Sequence, residues 1–121
     1  MTLDNTLAGI KVVFLDLDGT IYLGDDLIDG SLEFLSRLDD AGIKRFFLSN
    51  NSSRSVKQYV TKLHGMDIPA TEDDVLLSTH DLLSWLTNEG VNQTYLVGTE
   101  GMREMLEDVG IETRSTDPQY V

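Results

Sequence analysis

Glycines that follow helical stretches recur roughly every 20 to 25 residues, and this spacing constrains the fold more than any other sequence feature. Each such glycine is followed at once by an apolar residue. This pattern is typical of a helix that ends on a left-handed glycine, with the next side chain folding back onto the last turn. The four pairs are Gly42 with Ile43, Gly65 with Met66, Gly90 with Val91, and Gly110 with Ile111. The rhythm predicts successive strand–helix units.

The segments between these helices read as strands. Ile10–Leu15 is β-branched and nearly all apolar, as in a strand covered on both faces within a parallel sheet. Further strands are predicted at Lys44–Ser49, Asp74–Ser78 and Gln93–Val97, and Thr20–Gly30 is predicted to form a flap or a tight hairpin. Strands that alternate with helices at this spacing predict an α/β fold with a largely parallel sheet.

Each predicted helix carries apolar residues at helical spacing, which gives it an apolar face directed at the core. The four sets are Leu32, Phe34, Leu35 and Leu38; Val56, Tyr59, Val60 and Leu63; Leu82, Leu83, Trp85 and Leu86; and Met102, Met105, Leu106 and Val109. We expect Trp85 to lie in the core with its neighbours.

The composition narrows the class of protein. With 40% hydrophobic residues, the 121-residue chain has enough apolar material for a core. Its 21 acidic against 9 basic residues give a net charge of −12, which argues against binding to nucleic acid or to an anionic membrane. No apolar run approaches the roughly 20 residues of a membrane span, and Met1–Lys11 carries no secretory apolar region. The chain has no cysteine, and we expect a cytoplasmic location.

Two aspartates come directly after the first predicted strand. Asp16 and Asp18 flank Leu17 and are followed by Gly19 and Thr20. In open α/β sheets, ligands bind beyond the carboxyl ends of the strands. A carboxylate there can attack phosphorus or carbon or hold a hard cation, and a second carboxylate can donate and accept a proton. The alternative is that both aspartates only end the strand and cap the next turn.

Polar residues also follow the second predicted strand. Ser49 can donate a hydrogen bond to an anionic oxygen, and Asn50 can donate from its amide. We expect the next helix to begin near Ser52 or Ser53, so that its N-terminus faces the same crevice. The alternative is simple helix capping, with Ser52 or Ser53 as the cap. The two constellations together suit a phosphoryl group.

These motifs resemble those of the haloacid dehalogenase (HAD) superfamily of aspartate-nucleophile phosphatases. Asp16-Leu17-Asp18-Gly19-Thr20 resembles its first signature, Asp-x-Asp-Gly-Thr. The segment from Phe47 to Arg54 resembles the second signature of the branch with NagD-type, 4-nitrophenyl and phosphoglycolate phosphatases. Leu96–Gly101 resembles the Val-Gly-x-x-Gly stretch early in that branch's cap domain.

The resemblance implies roles for six residues in a Mg²⁺-dependent phosphomonoester hydrolase. Asp16 would be the nucleophile that forms an aspartyl-phosphate, and Asp18 the general acid and base. Asp16 would bind Mg²⁺ through its other carboxylate oxygen, and Asp18 through its backbone carbonyl. Ser49 and Asn50 would hold the substrate's phosphoryl group, and Gly19 and Thr20, which form the turn beside it, would also bind the substrate. The substrate would be a small phosphorylated metabolite of sugar phosphate, nucleotide or phosphoglycolate type.

The resemblance also implies the domain organisation. Residues 1–78 would be the N-terminal part of a Rossmann-like HAD core with a partial parallel sheet, and residues 79–121 the incomplete beginning of an α/β cap domain. Family members carry a lysine in a third motif and acidic residues in a fourth. None of the chain's lysines, at positions 11, 44, 57 and 62, stands where the third motif would. We therefore expect a truncated form of a larger enzyme.

Two other function classes stay open at this point. One is a catalytically inactive HAD-like fragment or interaction module. The other is a receiver-type signalling domain, although its phospho-acceptor aspartate would follow the third strand, where Leu77-Ser78-Thr79 stands instead. A homo-oligomer formed through the cap is a further expectation.

Overall fold

The computed structural model describes residues 8–121, so most of the Met1–Lys11 segment lies outside the described residues. The elements alternate much as the glycine rhythm predicts. They are β1 (Val12–Asp16), β2 (Tyr22–Leu23), β3 (Asp26–Leu27), α1 (Ser31–Asp40), β4 (Lys44–Ser49), α2 (Val56–Gly65), β5 (Val75–Leu77), α3 (Ser78–Asn88) and α4 (Glu100–Asp108).

The main sheet has three strands in the order β1-β4-β5. β1 and β4 are parallel, and their register runs from Val12 opposite Lys44 to Asp16 opposite Leu48. Because two parallel neighbours need a crossover connection, the chain passes through α1 between them. The predicted α/β class with a parallel sheet is confirmed.

Three of the four predicted helix ends have a left-handed glycine. Gly42, Gly90 and Gly110 have positive φ angles, and the amide of each following residue bonds back to a carbonyl in the last helical turn. The prediction of a left-handed glycine at Gly65 is wrong, because Gly65 is the last residue of α2 and does not have a positive φ angle. The left-handed position there is Asp67, with a φ of 60°. Aspartate adopts this conformation more readily than most residues, since its short polar side chain can hydrogen-bond locally.

Other local predictions have mixed outcomes. The Thr20–Gly30 segment forms the expected hairpin, in which β2 and β3 are antiparallel. Gln93–Val97 does not form a continuous strand, although residues 93, 94 and 95 make isolated bridges to Glu112, Tyr120 and Arg114. Trp85 does not lie in the core. It is 47% exposed and packs edge-on against Tyr120.

The described chain divides into two compact units, one ending at Leu48 and the other beginning at Ser49. The buried apolar residues of the first unit include Leu17, Ile21, Tyr22, Leu35, Leu38 and Phe47. Those of the second include Tyr59, Leu63, Ile68, Val75, Leu77, Leu83, Leu86, Met105, Leu106 and Ile111. Within residues 8–121, none of the helices combines the length and apolar character that a membrane span requires.

Candidate active site

The two candidate catalytic aspartates lie at the carboxyl end of β1. Asp16 is the last residue of the strand, and Asp18 follows after Leu17. Burial alternates across these three residues, because both aspartates are exposed whereas Leu17 is fully buried. The buried leucine anchors the segment in the first unit and leaves the flanking carboxylates in contact with solvent, where a ligand can reach them.

A tight backbone turn follows the aspartates. The carbonyl of Leu17 accepts hydrogen bonds from the amides of Thr20 and Ile21, at 3.1 and 3.0 Å. Gly19 has a φ of 82°, and its amide donates to the carbonyl of Tyr22 at 2.7 Å. Such a φ is strained for residues with a Cβ atom, so glycine allows the chain to reverse here. The turn fixes the backbone of the Asp16–Thr20 segment.

The hairpin after this turn is anchored to α1. Ile21 is buried, and its carbonyl accepts hydrogen bonds from the Ser31 hydroxyl at 2.8 Å and from the Ile28 amide at 3.0 Å. By contrast, Leu23 near the hairpin tip is 70% exposed. The base of the hairpin is therefore fixed, while its tip presents an apolar side chain to solvent.

In the second unit, Ser49 lies at the end of β4 and is 7% exposed. Its Oγ is 3.0 Å from the hydroxyl of Tyr59 in α2 and accepts the Asn51 amide at 3.1 Å. The next residue, Asn50, is exposed, and its carbonyl accepts a hydrogen bond from the Ser78 hydroxyl at 3.3 Å. Both predicted phosphoryl-binding residues therefore have defined partners within this unit.

The serine that caps α2 is Ser55, not Ser52 or Ser53. The Ser55 hydroxyl accepts the Gln58 amide, and the Gln58 side chain accepts the Ser55 amide, which forms a capping box. Ser53 instead bonds to Asn51, whose Oδ1 accepts both its amide and its hydroxyl. The helix therefore begins later than predicted, and a Ser-x-x-Gln pattern in the sequence could have located its cap.

The Val-Gly-x-x-Gly segment packs against this same loop. Thr99 caps α4 and donates from its hydroxyl to the Ser53 carbonyl at 2.6 Å. A Cβ atom placed on Gly101 would lie 2.7 Å from the Ser55 backbone nitrogen and 3.0 Å from the Arg54 Cα. The absence of a side chain at Gly101 thus permits close contact between the first turn of α4 and the loop before α2.

An ion-pair cluster joins α2 and α4. The Lys57 ammonium lies 3.5 Å from carboxylate oxygens of both Glu104 and Asp108. These carboxylates, Asp108 first and then Glu104, raise the pKa of Lys57 above its ordinary 10.5. A raised lysine pKa contributes stability that is fully present below pH 10.5 and is lost as the pH rises through the folded-state value.

The candidate site residues lie within a region of the chain that is similar to known proteins. The sequence pattern of the haloacid dehalogenase-like hydrolases matches residues 13–112, which include both Asp16 and Ser49. The chain belongs to this family. Its HAD-type motifs are thus part of a similarity that extends over most of the chain.

Named relatives of this HAD-like hydrolase are phosphatases. A 5'-nucleotidase, YutF, from Bacillus subtilis is 35% identical over 92% of this chain and 44% of its own length. An acid sugar phosphatase from Staphylococcus epidermidis is 33% identical over 88% of this chain and 42% of its own. A 4-nitrophenylphosphatase structure from Thermotoga maritima has a TM-score of 0.82 and 34% identity over 90% of this chain and 42% of its own. The chain spans less than half the length of these relatives.

The candidate metal ligands of this chain are Asp16 and Asp18. Mg²⁺ in proteins is commonly held by one or two carboxylates, with water and substrate phosphate completing its shell. The exposed carboxylate of Asp16 fits this donor set in kind, and Asp18 would contribute its backbone carbonyl, which leaves its carboxylate free for proton transfer. Among residues 8–121, no three or more His, Asp or Glu side chains form a group that could hold a metal ion.

An apolar cavity of about 350 Å³ lies elsewhere in the second unit of this HAD-like hydrolase. Leu82, Tyr95, Val97, Met102 and Tyr120 are among the residues that line it. It shares no residue with the candidate site.

Sequence reasoning did not identify Tyr59, Ser78 or Thr99 as partners of the Ser49–Ser55 loop, because these contacts join residues distant in sequence.

Proposed function

We propose that this chain carries the nucleophile-bearing part of a phosphomonoester hydrolase. The observation that carries the proposal is the Asp-x-Asp-Gly-Thr turn at the end of β1, with two exposed carboxylates flanking the buried Leu17. The names of the relatives support phosphate ester hydrolysis as the reaction class.

In the proposed reaction, a carboxylate oxygen of Asp16 attacks the substrate phosphorus and the ester P–O bond breaks. Asp18, as the acid, gives its proton to the leaving oxygen. The products of this step are the free alcohol and an aspartyl-phosphate. A water molecule then attacks phosphorus and transfers a proton to the Asp18 carboxylate, which releases phosphate and restores Asp16. The exposure of both aspartates supports these roles.

Charge on the substrate has to be balanced while Asp16 attacks. Mg²⁺ held by the carboxylate of Asp16 and by Asp18 would neutralise the phosphoryl oxygens. The Ser49 hydroxyl and the Asn50 amide would hold the phosphoryl group by hydrogen bonds, and Gly19 and Thr20 would shape the turn. Ser49 suits this role because its side-chain oxygen is held by contacts with the Tyr59 hydroxyl and the Asn51 amide.

The substrate class we propose is a small phosphorylated metabolite of sugar phosphate, nucleotide or phosphoglycolate type. The relatives named 5'-nucleotidase and acid sugar phosphatase support this range. For the domains, we propose that residues 1–78 belong to the core and that residues 79–121 begin a cap.

Substitution of the nucleophile tests the proposal. Any Mg²⁺-dependent release of 4-nitrophenolate from 4-nitrophenyl phosphate should fall at least about a thousandfold in Asp16→Asn, because the amide cannot form the covalent intermediate. We expect turnover by this chain itself to be slow, since none of its lysines stands where the family's third motif would.

Two further variants sharpen this assay. Asp18→Asn should bind substrate and yet lose turnover, because proton transfer fails. Asp25→Asn removes the same charge from the hairpin of the same unit and should retain the wild-type rate. Undiminished turnover in Asp16→Asn would overturn the nucleophile assignment.

A second candidate function is a catalytically inactive interaction module. The observation that favours it is that no cluster of three or more metal-binding side chains occurs in the described part of the chain. Under this alternative, Mg²⁺ would leave 4-nitrophenyl phosphate hydrolysis at the background rate in every variant.

A further inference from the structure

The hydroxyl of Ser49 has a hydrogen-bond environment that determines where its proton can point. Its Oγ accepts the backbone amide of Asn51 at 3.1 Å and lies 3.0 Å from the phenol oxygen of Tyr59. Either hydroxyl of the Ser49–Tyr59 pair could be the donor. The choice between these two arrangements decides whether Ser49 can donate to a ligand.

A serine hydroxyl has one proton and two acceptor lone pairs. The Asn51 amide occupies one lone pair of Ser49. If Tyr59 donates, its proton occupies the other lone pair, and the Ser49 proton is then free for a third partner. If Ser49 donates instead, its only proton is consumed inside the protein and cannot reach a ligand.

We propose that Tyr59 is a positioning residue for phosphoryl binding. In the ligand-bound state it donates to the oxygen of Ser49 and thereby directs the serine proton to the substrate's phosphoryl oxygen. This inference rests on the proposed function, since it requires that Ser49 binds the phosphoryl group. Both hydroxyls exchange donor and acceptor roles by rotation alone, so no group has to be ionised.

The surroundings of Tyr59 suit a fixed donor. The residue is 1% exposed and lies in the first half of α2, so its ring is held by packing. The Arg54 guanidinium lies over the ring, 5.9 Å from the centroid. The Ser55–Gln58 capping box fixes the start of the same helix. These contacts hold the phenol oxygen next to Ser49 at low conformational cost.

A tyrosine with a purely structural role would be equally buried. The test must therefore separate a structural role of Tyr59 from a positioning role. We would titrate the 121-residue chain with inorganic phosphate in the presence of Mg²⁺ and follow the backbone amide resonances of Asn50 and Asn51. Tyr59→Phe keeps the ring and removes only the hydroxyl. We expect it to weaken phosphate binding about three- to tenfold, the loss of one hydrogen bond that positions a donor.

The decisive comparison is a double-mutant cycle with Ser49→Ala. If Tyr59 acts through the Ser49 hydroxyl, Tyr59→Phe should cause no further loss of phosphate affinity in the Ser49→Ala background. An equal loss in both backgrounds would show a merely structural role and would overturn the inference. Tyr95→Phe, which removes a half-exposed phenol from the same unit, is the matched control and should leave affinity unchanged.

A second measurement needs no ligand. Scalar couplings that report the χ1 rotamer of Ser49 should show one rotamer in the wild type and averaging in Tyr59→Phe. The same single rotamer in both proteins would overturn the positioning role. If Ser49→Ala leaves phosphate affinity unchanged, the proposed function fails at this residue, whereas the rotamer result still decides what Tyr59 does to Ser49.

Discussion

Buried neighbours hold the polar side chains of the candidate site in place in each unit. In the first unit, the fully buried Leu17 holds the backbone from which Asp16 and Asp18 reach solvent. In the second, the buried Tyr59 contacts the hydroxyl of Ser49. The proposed chemistry would therefore depend on apolar and aromatic residues that take no part in bond making.

Residue identity alone could predict the candidate nucleophile but not the cap of α2. The Asp-x-Asp-Gly-Thr pattern is short and local, and it follows a strand that the apolar run already marks. Serines stand at positions 52, 53 and 55, and the hydroxyl of any of them could cap the helix by accepting a backbone amide. The structure selects Ser55 because Gln58 lies three residues later and completes the box.

The cap assignment leads to a test of stability. Ser55→Ala removes the acceptor for the Gln58 amide and should lower the free energy of unfolding by about 1 kcal/mol. Ser52→Ala changes an exposed serine in the same loop and should alter it by less than about 0.5 kcal/mol. Urea denaturation of both variants measures the difference. A larger loss for Ser52→Ala than for Ser55→Ala would contradict the assignment.

At the scale of elements, α2 and α4 are joined through the loop that carries Ser49 and Asn50. The Thr99 hydroxyl donates to Ser53, and Lys57 pairs with two carboxylates of α4. The exposed ion pairs contribute little, because water screens them and ordering of the side chains opposes them. The close contact at Gly101 is therefore the element-level interaction most sensitive to substitution.

Alanine at this contact should be costly. In Gly101→Ala the new methyl group would meet backbone atoms of Arg54 and Ser55, which cannot move aside as a side chain can. We expect a loss of about 1 to 3 kcal/mol in the free energy of unfolding. Gly65 in α2 has open space around its Cα, so Gly65→Ala should raise stability by up to about 1 kcal/mol through helix propensity alone.

Thermal or urea unfolding of the two variants measures both the expected loss and the expected gain in the free energy of unfolding. A gain for Gly101→Ala comparable to that for Gly65→Ala would show that α4 does not approach the loop closely. The two variants can be compared directly because both glycines are helical residues and neither has a positive φ angle, so alanine fits the backbone conformation at both positions.

Element prediction succeeded where the periodicity was strong. The strand at Lys44–Ser49 has the bounds that its apolar run indicates, and the hairpin follows from the turn residues Gly24 and Asp25 between its two strands. It failed at Gln93–Val97, where a β-like composition yields only isolated bridges. It also failed at Trp85, because helical spacing identifies an apolar face but not whether anything covers it.

At the scale of the whole molecule, α/β class and family follow from the alternation of elements and from two short motifs. The division into units at Leu48 and Ser49 does not follow from them, because it depends on which contacts form and not on composition.

The net charge of −12 affects how ligands approach the whole molecule. A phosphorylated substrate of the proposed class would have to approach an anionic protein, and a cation held at Asp16 and Asp18 would reduce this repulsion.

The proposed function requires above all that Asp16 accepts the phosphoryl group. Beryllofluoride mimics that group because it coordinates a carboxylate oxygen, and its binding requires no turnover. We would add it with Mg²⁺ and follow the backbone amide resonances of residues 16–20. We expect saturable shifts in the wild type that are lost in Asp16→Asn and kept in Asp25→Asn. No shift in the wild type, or the same shift in Asp16→Asn, would contradict it.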